Sequence, residues 1–530
     1  MAGVNNCVLY LCATLAYSVG AVTNDELKKL VDEDVAKPVR PAGVNGQSHW
    51  NRNAIWFMYP PSFEFEEMGK TERCRFRIFD ANGKEHTFLS SSTRVSLEKV
   101  WPQLPTGEVN VWCETFSSSE WAAHTHGRQF RTFWKSAPYR PGAYPASPRS
   151  YTQAVRLGLD YVFSLPWLKH LVATGTNDMS CPMNAYPSKM NSALAQAMVR
   201  LGPYMPERKD EALKIARIAV DYLIARSQPA DAPLACFPPT YEGTKWSAKR
   251  NAGMCMLIYP AHAASAYLNV YEATGDSRYL SAAESVAATY LRLQGADGTW
   301  PLKVREKDAA PVAANRLFPM AVIGMLDSLY RLTGREEYSS ASERAFAYIE
   351  RGPLSDWSWE GQFEDAELSL KYVNLTKHSA CSTAIRIVSR WPDDPARIAQ
   401  ARELLRFAED QFVCWERPWR DARRSFQQEK FYDWKVEPAV VEQYYYREAI
   451  DASAAKLIRT YLALYRATGN PLDIAKARTL GDSCVRMQEK SGRIPTIWSA
   501  DGCNSPNSDW INCMLATFVA LDELSKAEER

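Results

Sequence analysis

The sequence predicts a mainly α-helical protein: an (α/α)6 toroid of six helical hairpins, preceded by a small all-β immunoglobulin-like sandwich. Three observations predict this fold: a helix-ending pattern that recurs, two kinds of helix that alternate, and short β-type segments confined to the N-terminal region. The 530 residues, 46% apolar and 23% charged, have the composition of a folded chain with more than one core. A net charge of +2 gives no support for a nucleic-acid partner.

The first 21 residues predict a signal peptide. An apolar run at 7–16, too short for a membrane span, precedes Val19-Gly20-Ala21, a sequence typical of signal peptidase sites. The segment therefore predicts a secreted or periplasmic protein. A frayed apolar segment on a cytosolic protein is the alternative. No later stretch is long and apolar enough to predict a membrane span.

Residues 40–137 predict the β-sandwich, of immunoglobulin or fibronectin type. Short strand-like runs occur at 54–59, 73–79 and 109–116, and Asn82-Gly83 is a strong hairpin-turn signal. Cys74 and Cys113 lie in candidate strands, where they could form a disulfide or remain buried thiols. The proline-rich residues 138–149 predict a linker, and residues 150–526 predict the helical domain.

The helical domain is predicted from a repeated helix end. Thr274-Gly275, Thr333-Gly334 and Thr468-Gly469 each place a glycine where a helix can stop in the left-handed conformation. An amphipathic helix is predicted directly after each of them, at 279–294, 337–351 and 472–489. Similar amphipathic patterns occur at 151–165, 207–226 and 396–412, which gives six helices with one charged face.

Nearly charge-free helices alternate with these amphipathic ones. The clearest are predicted at 190–199, 252–271, 318–326 and 510–521. Because a helix that is apolar on every side is buried on every side, the alternation predicts an inner ring of helices within an outer ring. An open solenoid is the alternative, but its exposed concave helices should be polar.

In such a toroid the connections from outer to inner helices open on one face. The tryptophans in these connections are Trp246, Trp300, Trp357, Trp359, Trp415 and Trp498. Since sugar rings stack on indole faces, this distribution predicts a sugar-binding rim. The alternative for each tryptophan is that it packs its loop onto the barrel.

Acidic residues occur in the same connections: Glu360, Glu364 and Asp365 in the fourth, Glu442 in the fifth and Asp509 in the sixth. Glycoside cleavage needs one protonated and one ionised carboxyl group. We expect neighbouring indoles to raise the pKa of Glu360, which makes it the candidate acid, with one of the other four as base. Asp509 could instead be a helix N-cap.

Basic residues on this face favour a sugar that carries a carboxylate. The candidates for binding it are Lys249, Arg250, Lys303 and Arg447. A polysaccharide lyase is the alternative, in which His378 or Tyr445 removes a proton beside a uronate that Arg447 neutralises. A glycan-binding protein without catalysis is a third hypothesis. The sequence contains no HExxH or EF-hand motif and predicts neither a metal site nor a cofactor.

The segment ATGDSRYL at 273–280, followed by LQGADGTWP at 293–301, resembles the six-hairpin glycosidase superfamily. The resemblance extends over residues 150–525 and implies an (α/α)6 domain that acts on a carbohydrate. This superfamily includes unsaturated glucuronyl hydrolases, other β-glucuronidases and cellulases with an N-terminal immunoglobulin-like domain. The sequence has no Asp-Ala-Gly-Asp motif of the cellulase type. The leading hypothesis is a glycoside hydrolase for acidic, uronic-acid-containing oligo- or polysaccharides.

Overall fold

The structure, a computed structural model, describes residues 22–39, 51, 53–65, 73–117, 120–123, 130–365, 368–416, 434–499 and 509–529. The predicted signal peptide, residues 1–21, lies outside the described residues. The first described helix is α1 (Asn24–Val35), and its N-terminus is closed by reciprocal hydrogen bonds between Thr23 and Glu26.

The N-terminal region forms two β-sheets. Their strands are β1 (Trp56–Phe57), β2 (Ser62–Glu64), β3 (Arg73–Phe79), β4 (Glu85–Ser90), β5 (Arg94–Ser96), β6 (Gly107–Ser117), β7 (Glu120–Ala123) and β8 (Phe130–Lys135). The larger sheet has the order β1-β8-β6-β3-β4, with β7 paired to β6, and β2 pairs with β5. Within the described residues of this region, β1 and β8 pair in parallel and the other strand pairs are antiparallel.

Alternation of side chains builds the core of the sheets. Along β3, Cys74, Phe76 and Ile78 are buried and their neighbours are not, as expected for a strand with one face on the core. The ring of Phe63 lies 5.7 Å from that of Phe57 and thereby joins the two sheets. Cys74 and Cys113 are buried on neighbouring strands and form no disulfide, which is the second of the two states that the sequence left open.

Helices dominate the rest of the described chain. They are α2 (Tyr151–Ser164), α3 (Pro166–Thr174), α4 (Pro187–Leu201), α5 (Lys209–Ala225), α6 (Trp246–Arg250), α7 (Tyr259–Thr274), α8 (Ser277–Leu293), α9 (Met320–Thr333), α10 (Glu336–Arg351), α11 (Pro353–Asp356), α12 (His378–Arg390), α13 (Pro395–Phe412), α14 (Asp451–Thr468), α15 (Pro471–Met487) and α16 (Ile511–Glu528). Two short antiparallel pairs lie in the connections: β9 (Met254–Met256) with β10 (Lys303–Arg305), and β11 (Val413–Cys414) with β12 (Ala439–Val440).

Twelve of the described helices form two concentric rings. The inner helices α4, α7, α9, α12, α14 and α16 contact one another in this order, and α16 contacts α4, so the ring is closed. Each inner helix packs against the outer helix that follows it, and α16 packs against α2. The expected (α/α)6 toroid is thereby confirmed. Gly275, Gly334 and Gly469 end inner helices in the left-handed conformation, as the repeated pattern predicted.

The β region is fixed to the helical ring through α13. Asp410 accepts hydrogen bonds from the backbone N–H groups of Met58, at 2.6 Å, and Tyr59, at 2.9 Å. The indole N–H of Trp56 donates to the carbonyl oxygen of Gln411 at 3.0 Å. Since all of these groups are buried, the β region rests against the ring through satisfied polar contacts. None of the helices in the described part of the chain has the length and apolar character needed to cross a membrane.

Candidate functional site

A cavity of about 900 Å³ occupies the centre of the ring. All six inner helices line it, together with residues of the loops that lead into α12 and α14. One end of the cavity, its mouth, lies at Tyr259, His378 and Asn512, which occupy the N-terminal ends of their helices. From there the lining continues along α7 to Ala273. The predicted toroid therefore contains a central pocket of the size usual for small-molecule sites.

Glu360 lies on the wall of this cavity. Burial raises the pKa of its carboxyl group to about 7, against a smaller opposing effect of Lys371. The segment is held by a bridge between Glu360 and Leu375 and by the Gln362 side chain, which accepts from the N–H of Phe318 at 2.9 Å. Among the described residues, no hydrogen-bond donor reaches the Glu360 carboxyl group. This carboxyl group can therefore carry a proton near neutral pH and donate it into the cavity.

Glu442 is the second carboxyl group on the cavity wall. Burial raises its pKa, while the Lys377 amine opposes this rise. Lys377 is itself fully buried and donates to the carbonyl oxygens of Val441, at 2.7 Å, and Glu442, at 2.9 Å. Burial lowers the pKa of this lysine to about 7. Lys377 thus holds the backbone that carries Glu442 in place.

Glu364 and Asp365 have different surroundings from Glu360. Glu364 is buried and forms an ion pair with Lys189 at 2.7 Å, and the hydroxyl group of Tyr259 donates to its other oxygen. Burial alone would raise the pKa of Glu364, but Lys189 and Tyr259 outweigh it and hold the pKa below its usual value. Asp365 is exposed, although surrounding protein and the charge of Glu364 raise its pKa. Neither residue lines the central cavity.

Asp509 also lies outside the central cavity. Its carboxylate contacts the guanidinium group of Arg493 at 2.5 and 3.1 Å and accepts the N–H of Thr496 at 3.2 Å. The N-cap position of α16 is occupied by Trp510, so the N-cap alternative for Asp509 is wrong. This carboxylate instead ties the loop after α15 to the start of α16.

Two histidines line the cavity, His378 on α12 and His262 on α7. Burial lowers the pKa of both, in His262 to about 4, and nearby lysines contribute to the effect. Both imidazoles are therefore neutral at pH 7 and can donate and accept hydrogen bonds. The sequence indicated His378 but not His262, which is one of several polar residues in a mainly apolar inner helix.

The four basic residues predicted to bind substrate do not line the cavity. Lys249 is exposed, and Arg250 lies over the ring of Trp246 and donates to the Asp365 carbonyl oxygen at 3.3 Å. Lys303 is buried and donates to Asn251 at 3.0 Å. Arg447 is buried against the β region, where it donates to the carbonyl oxygen of Asn53 at 3.2 Å. The cavity lysines are instead Lys189 and Lys456, which sequence analysis missed.

The predicted rim of tryptophans is wrong for five of its six members. Their exposed fractions are between 0 and 3%, because their loops pack the indoles against the barrel; they are Trp300, Trp357, Trp359, Trp415 and Trp498. The indole N–H of Trp300, for example, donates to the carbonyl oxygen of Tyr290 at 2.8 Å. Trp246 differs, with 67% of its surface exposed.

Tyr445 is not part of the cavity lining either, and its backbone N–H donates to Asn374 at 2.9 Å. No cluster of potential metal ligands occurs among the described residues. The cavity wall brings together Glu360, Glu442, the two histidines and Lys456, and it also carries neutral amide side chains.

Comparison with known proteins gives a likeness to solved structures. No family model and no curated protein matches the chain. A family 76 glycoside hydrolase from a bovine Bacteroides thetaiotaomicron strain is 11% identical, with 90% of this chain and 98% of that chain covered and a TM-score of 0.47. Cellobiose 2-epimerase from Spirochaeta thermophila is 13% identical (71% and 98% covered, TM-score 0.47). An unsaturated glucuronyl hydrolase specific for heparin is 12% identical (72% and 98% covered, TM-score 0.46). At this level of similarity, reaction and substrate must be argued from the residues of the chain itself.

Proposed function

We propose that the chain is a glycoside hydrolase whose reaction takes place in the central cavity. The observation that carries this proposal is Glu360, a cavity-lining carboxyl group with a pKa of about 7. An acid catalyst must hold its proton at the working pH and release it to the leaving group, and a carboxyl group with this pKa does both.

Glu442 is the proposed partner of Glu360. Of the other four predicted carboxylates, only Glu442 lines the cavity, whereas Glu364 and Asp509 lie behind its lining in ion pairs with Lys189 and Arg493. In the proposed reaction Glu360 gives its proton to the glycosidic oxygen as the bond from this oxygen to the anomeric carbon breaks. Water forms the new bond to that carbon, and its proton passes to the ionised form of Glu442.

The substrate proposed for this site is a glycan, and specifically an acidic one. Gln196, Gln362 and Asn512 line the cavity with neutral amides, and Phe318 and Phe363 add apolar surface. This mixture suits a sugar ring, which has both hydroxyl groups and apolar faces. The preference for an acidic sugar rests on the cavity lysines and no longer on the four basic residues predicted from sequence. Trp246 remains a candidate for stacking on a longer glycan at the surface.

A polysaccharide lyase is the second candidate, and the neutral imidazole of His378 on the cavity wall favours it. The group predicted to neutralise the uronate, Arg447, packs against the β region, so a lyase would have to use a cavity lysine instead. We rank the lyase below the hydrolase because only the hydrolase uses the proton of the Glu360 carboxyl group. A glycan-binding role without catalysis would leave the raised pKa of Glu360 without a purpose.

We also infer that the β region is an immunoglobulin-like sandwich and that the first 21 residues direct export. Pairing of β3 with β6 and of β6 with β8, and of β2 with β5 in a separate sheet, supports the first inference. N-terminal sequencing of the protein recovered from an expressing cell tests the second.

Turnover on a panel of glycans tests the proposed function. Wild-type protein should release reducing ends from at least one uronic-acid-containing glycan without forming the ultraviolet-absorbing unsaturated uronide of a lyase. Glu360→Gln removes the transferable proton and should lower kcat by about 10²- to 10⁴-fold while binding is preserved. Glu343→Gln, on the exposed face of α10, is the control and should retain full activity. Unchanged turnover in Glu360→Gln would remove Glu360 from the reaction, and an unsaturated product would establish the lyase.

A further inference from the structure

The three lysines around the cavity differ in how their charges are compensated. Lys189 forms an ion pair with Glu364, and Lys377 is enclosed by the carbonyl oxygens of Val441 and Glu442. Lys456 donates to the hydroxyl group of Ser382 at 3.1 Å. In the described chain no carboxylate forms an ion pair with Lys456. Burying an ammonium group without an anionic partner costs free energy. Lys456 is therefore the cavity lysine that can take an anionic group of a bound ligand as its partner.

Lys456 and Ser382 lie deeper in the ring than the two carboxyl groups. Ser382 follows His378 by four residues on α12, and Lys456 follows the first residue of α14, Asp451, by five. At about 1.5 Å per residue, both lie roughly one helical turn further along the cavity than the residues at its mouth. Because Glu360 and Glu442 come from the loops at the mouth, we expect a sugar ring held between them to direct one of its substituents toward Lys456.

The surroundings of Lys456 fit an anionic substituent. Arg459, one turn further along α14, lies near Lys456 and is ion-paired with Glu523 at 3.0 Å. His378 and His262 are neutral and can donate hydrogen bonds without adding charge. Glu360 and Glu442 reach the same cavity from its mouth, and burial raises the pKa of both. Lys456 is therefore the cavity lysine whose charge no carboxylate of the described residues compensates through an ion pair.

We propose that Lys456, supported by Ser382, is the subsite that recognises the carboxylate of a uronic-acid residue in the cavity. This inference rests on the proposed function, and it names the group that selects an acidic sugar over its neutral counterpart. An ammonium and a hydroxyl group together offer two donors to one carboxylate, and charge-assisted hydrogen bonds of this kind are stronger than those to a neutral hydroxymethyl group.

Binding to a catalytically silent protein tests the subsite separately from the reaction. The protein carries Glu360→Gln, and the probes are glucuronate, galacturonate and mannuronate with glucose, galactose and mannose as neutral counterparts, measured by isothermal titration calorimetry. At least one uronate should bind more tightly than its hexose. Lys456→Met should weaken uronate binding at least about tenfold and leave hexose binding within about twofold. Lys214→Met, on the exposed face of α5, is the matched control and should change neither.

The outcomes separate the two proposals. Equal binding of uronates and hexoses, or uronate binding that survives Lys456→Met, overturns the subsite even when glycan hydrolysis is observed. Uronate binding that depends on Lys456 supports the subsite even when the whole glycan panel fails to be hydrolysed. Lys456→Arg, which keeps the charge in a folded protein, should restore part of the preference for uronate; equal loss in Lys456→Arg and Lys456→Met would assign Lys456 a packing role.

Discussion

At the residue scale, two glutamates only four positions apart have opposite acid–base behaviour. Glu360 is half-buried, accepts no hydrogen bond from the described residues and has a raised pKa, whereas Glu364 is buried with Lys189 and Tyr259 and has a lowered pKa. The sequence could indicate this cluster because the carboxyl groups lie among aromatic residues in one loop. It could not tell which glutamate is paired, since Lys189 and Tyr259 come from two other helices.

The pKa of Glu360 predicts the pH dependence of the proposed hydrolysis. Glu360 must be protonated to act as the acid, so kcat should be highest below its pKa and should fall as the pH rises through about 7. Measurement of kcat between about pH 5 and about pH 9 checks this prediction. A rate that rises through pH 7 would indicate that a group with this pKa acts as a base instead.

At the element scale, the outer-to-inner loops close the end of the barrel as well as line the site. The repeated glycine ends and the alternation of helix types predicted the helices, because both reflect local backbone and burial requirements. The direction in which a loop tryptophan points is not determined locally, since it depends on which surface of the barrel lies beneath the loop. Composition alone therefore could not separate buried Trp300 from exposed Trp246.

We expect substitution of these two tryptophans by alanine to change the stability of the protein by different amounts. Trp300→Ala removes a fully buried indole and its hydrogen bond to Tyr290, and should lower the free energy of unfolding by about 3–5 kcal/mol. Trp246→Ala removes a side chain that is 67% exposed and should change it by no more than about 0.5 kcal/mol. Urea denaturation followed by circular dichroism compares both with wild type. Similar losses in the two variants would contradict the packing role assigned to Trp300.

At the scale of the whole molecule, closure of the ring creates the cavity and decides which residues reach it. The sequence predicted the ring and the raised pKa of Glu360, and it included Glu442 among four candidate bases without distinguishing it from the other three. It did not indicate His262 and Lys456, because whether a polar residue of an inner helix lines the cavity depends on how six such helices face one another. It misplaced Arg447 because nothing in the local sequence reveals that the β region covers this residue.

The closing contact between α2 and α16 is open to a direct test. Gly158 on α2 lies against the ring of Phe518 on α16, and a Cβ atom at Gly158 would overlap that ring. Gly158→Val should therefore lower the free energy of unfolding by at least about 1–3 kcal/mol. Gly324 lies on the inner helix α9, where an added Cβ atom contacts nothing. Gly324→Ala should therefore leave the free energy of unfolding unchanged or raise it by up to about 1 kcal/mol. Thermal unfolding of both variants provides the measurement, and equal stability would contradict the close contact.

The same contact has a consequence for the order of events during synthesis. α2 leaves the ribosome first among the ring helices and α16 last, yet these two must pack together before the ring is complete. Until α16 packs, the inner helices from α4 to α14 surround an open groove, and their apolar surfaces are exposed to solvent. The central cavity therefore forms only after α16 has emerged, and a chain that has not yet released α16 exposes apolar surface that favours aggregation.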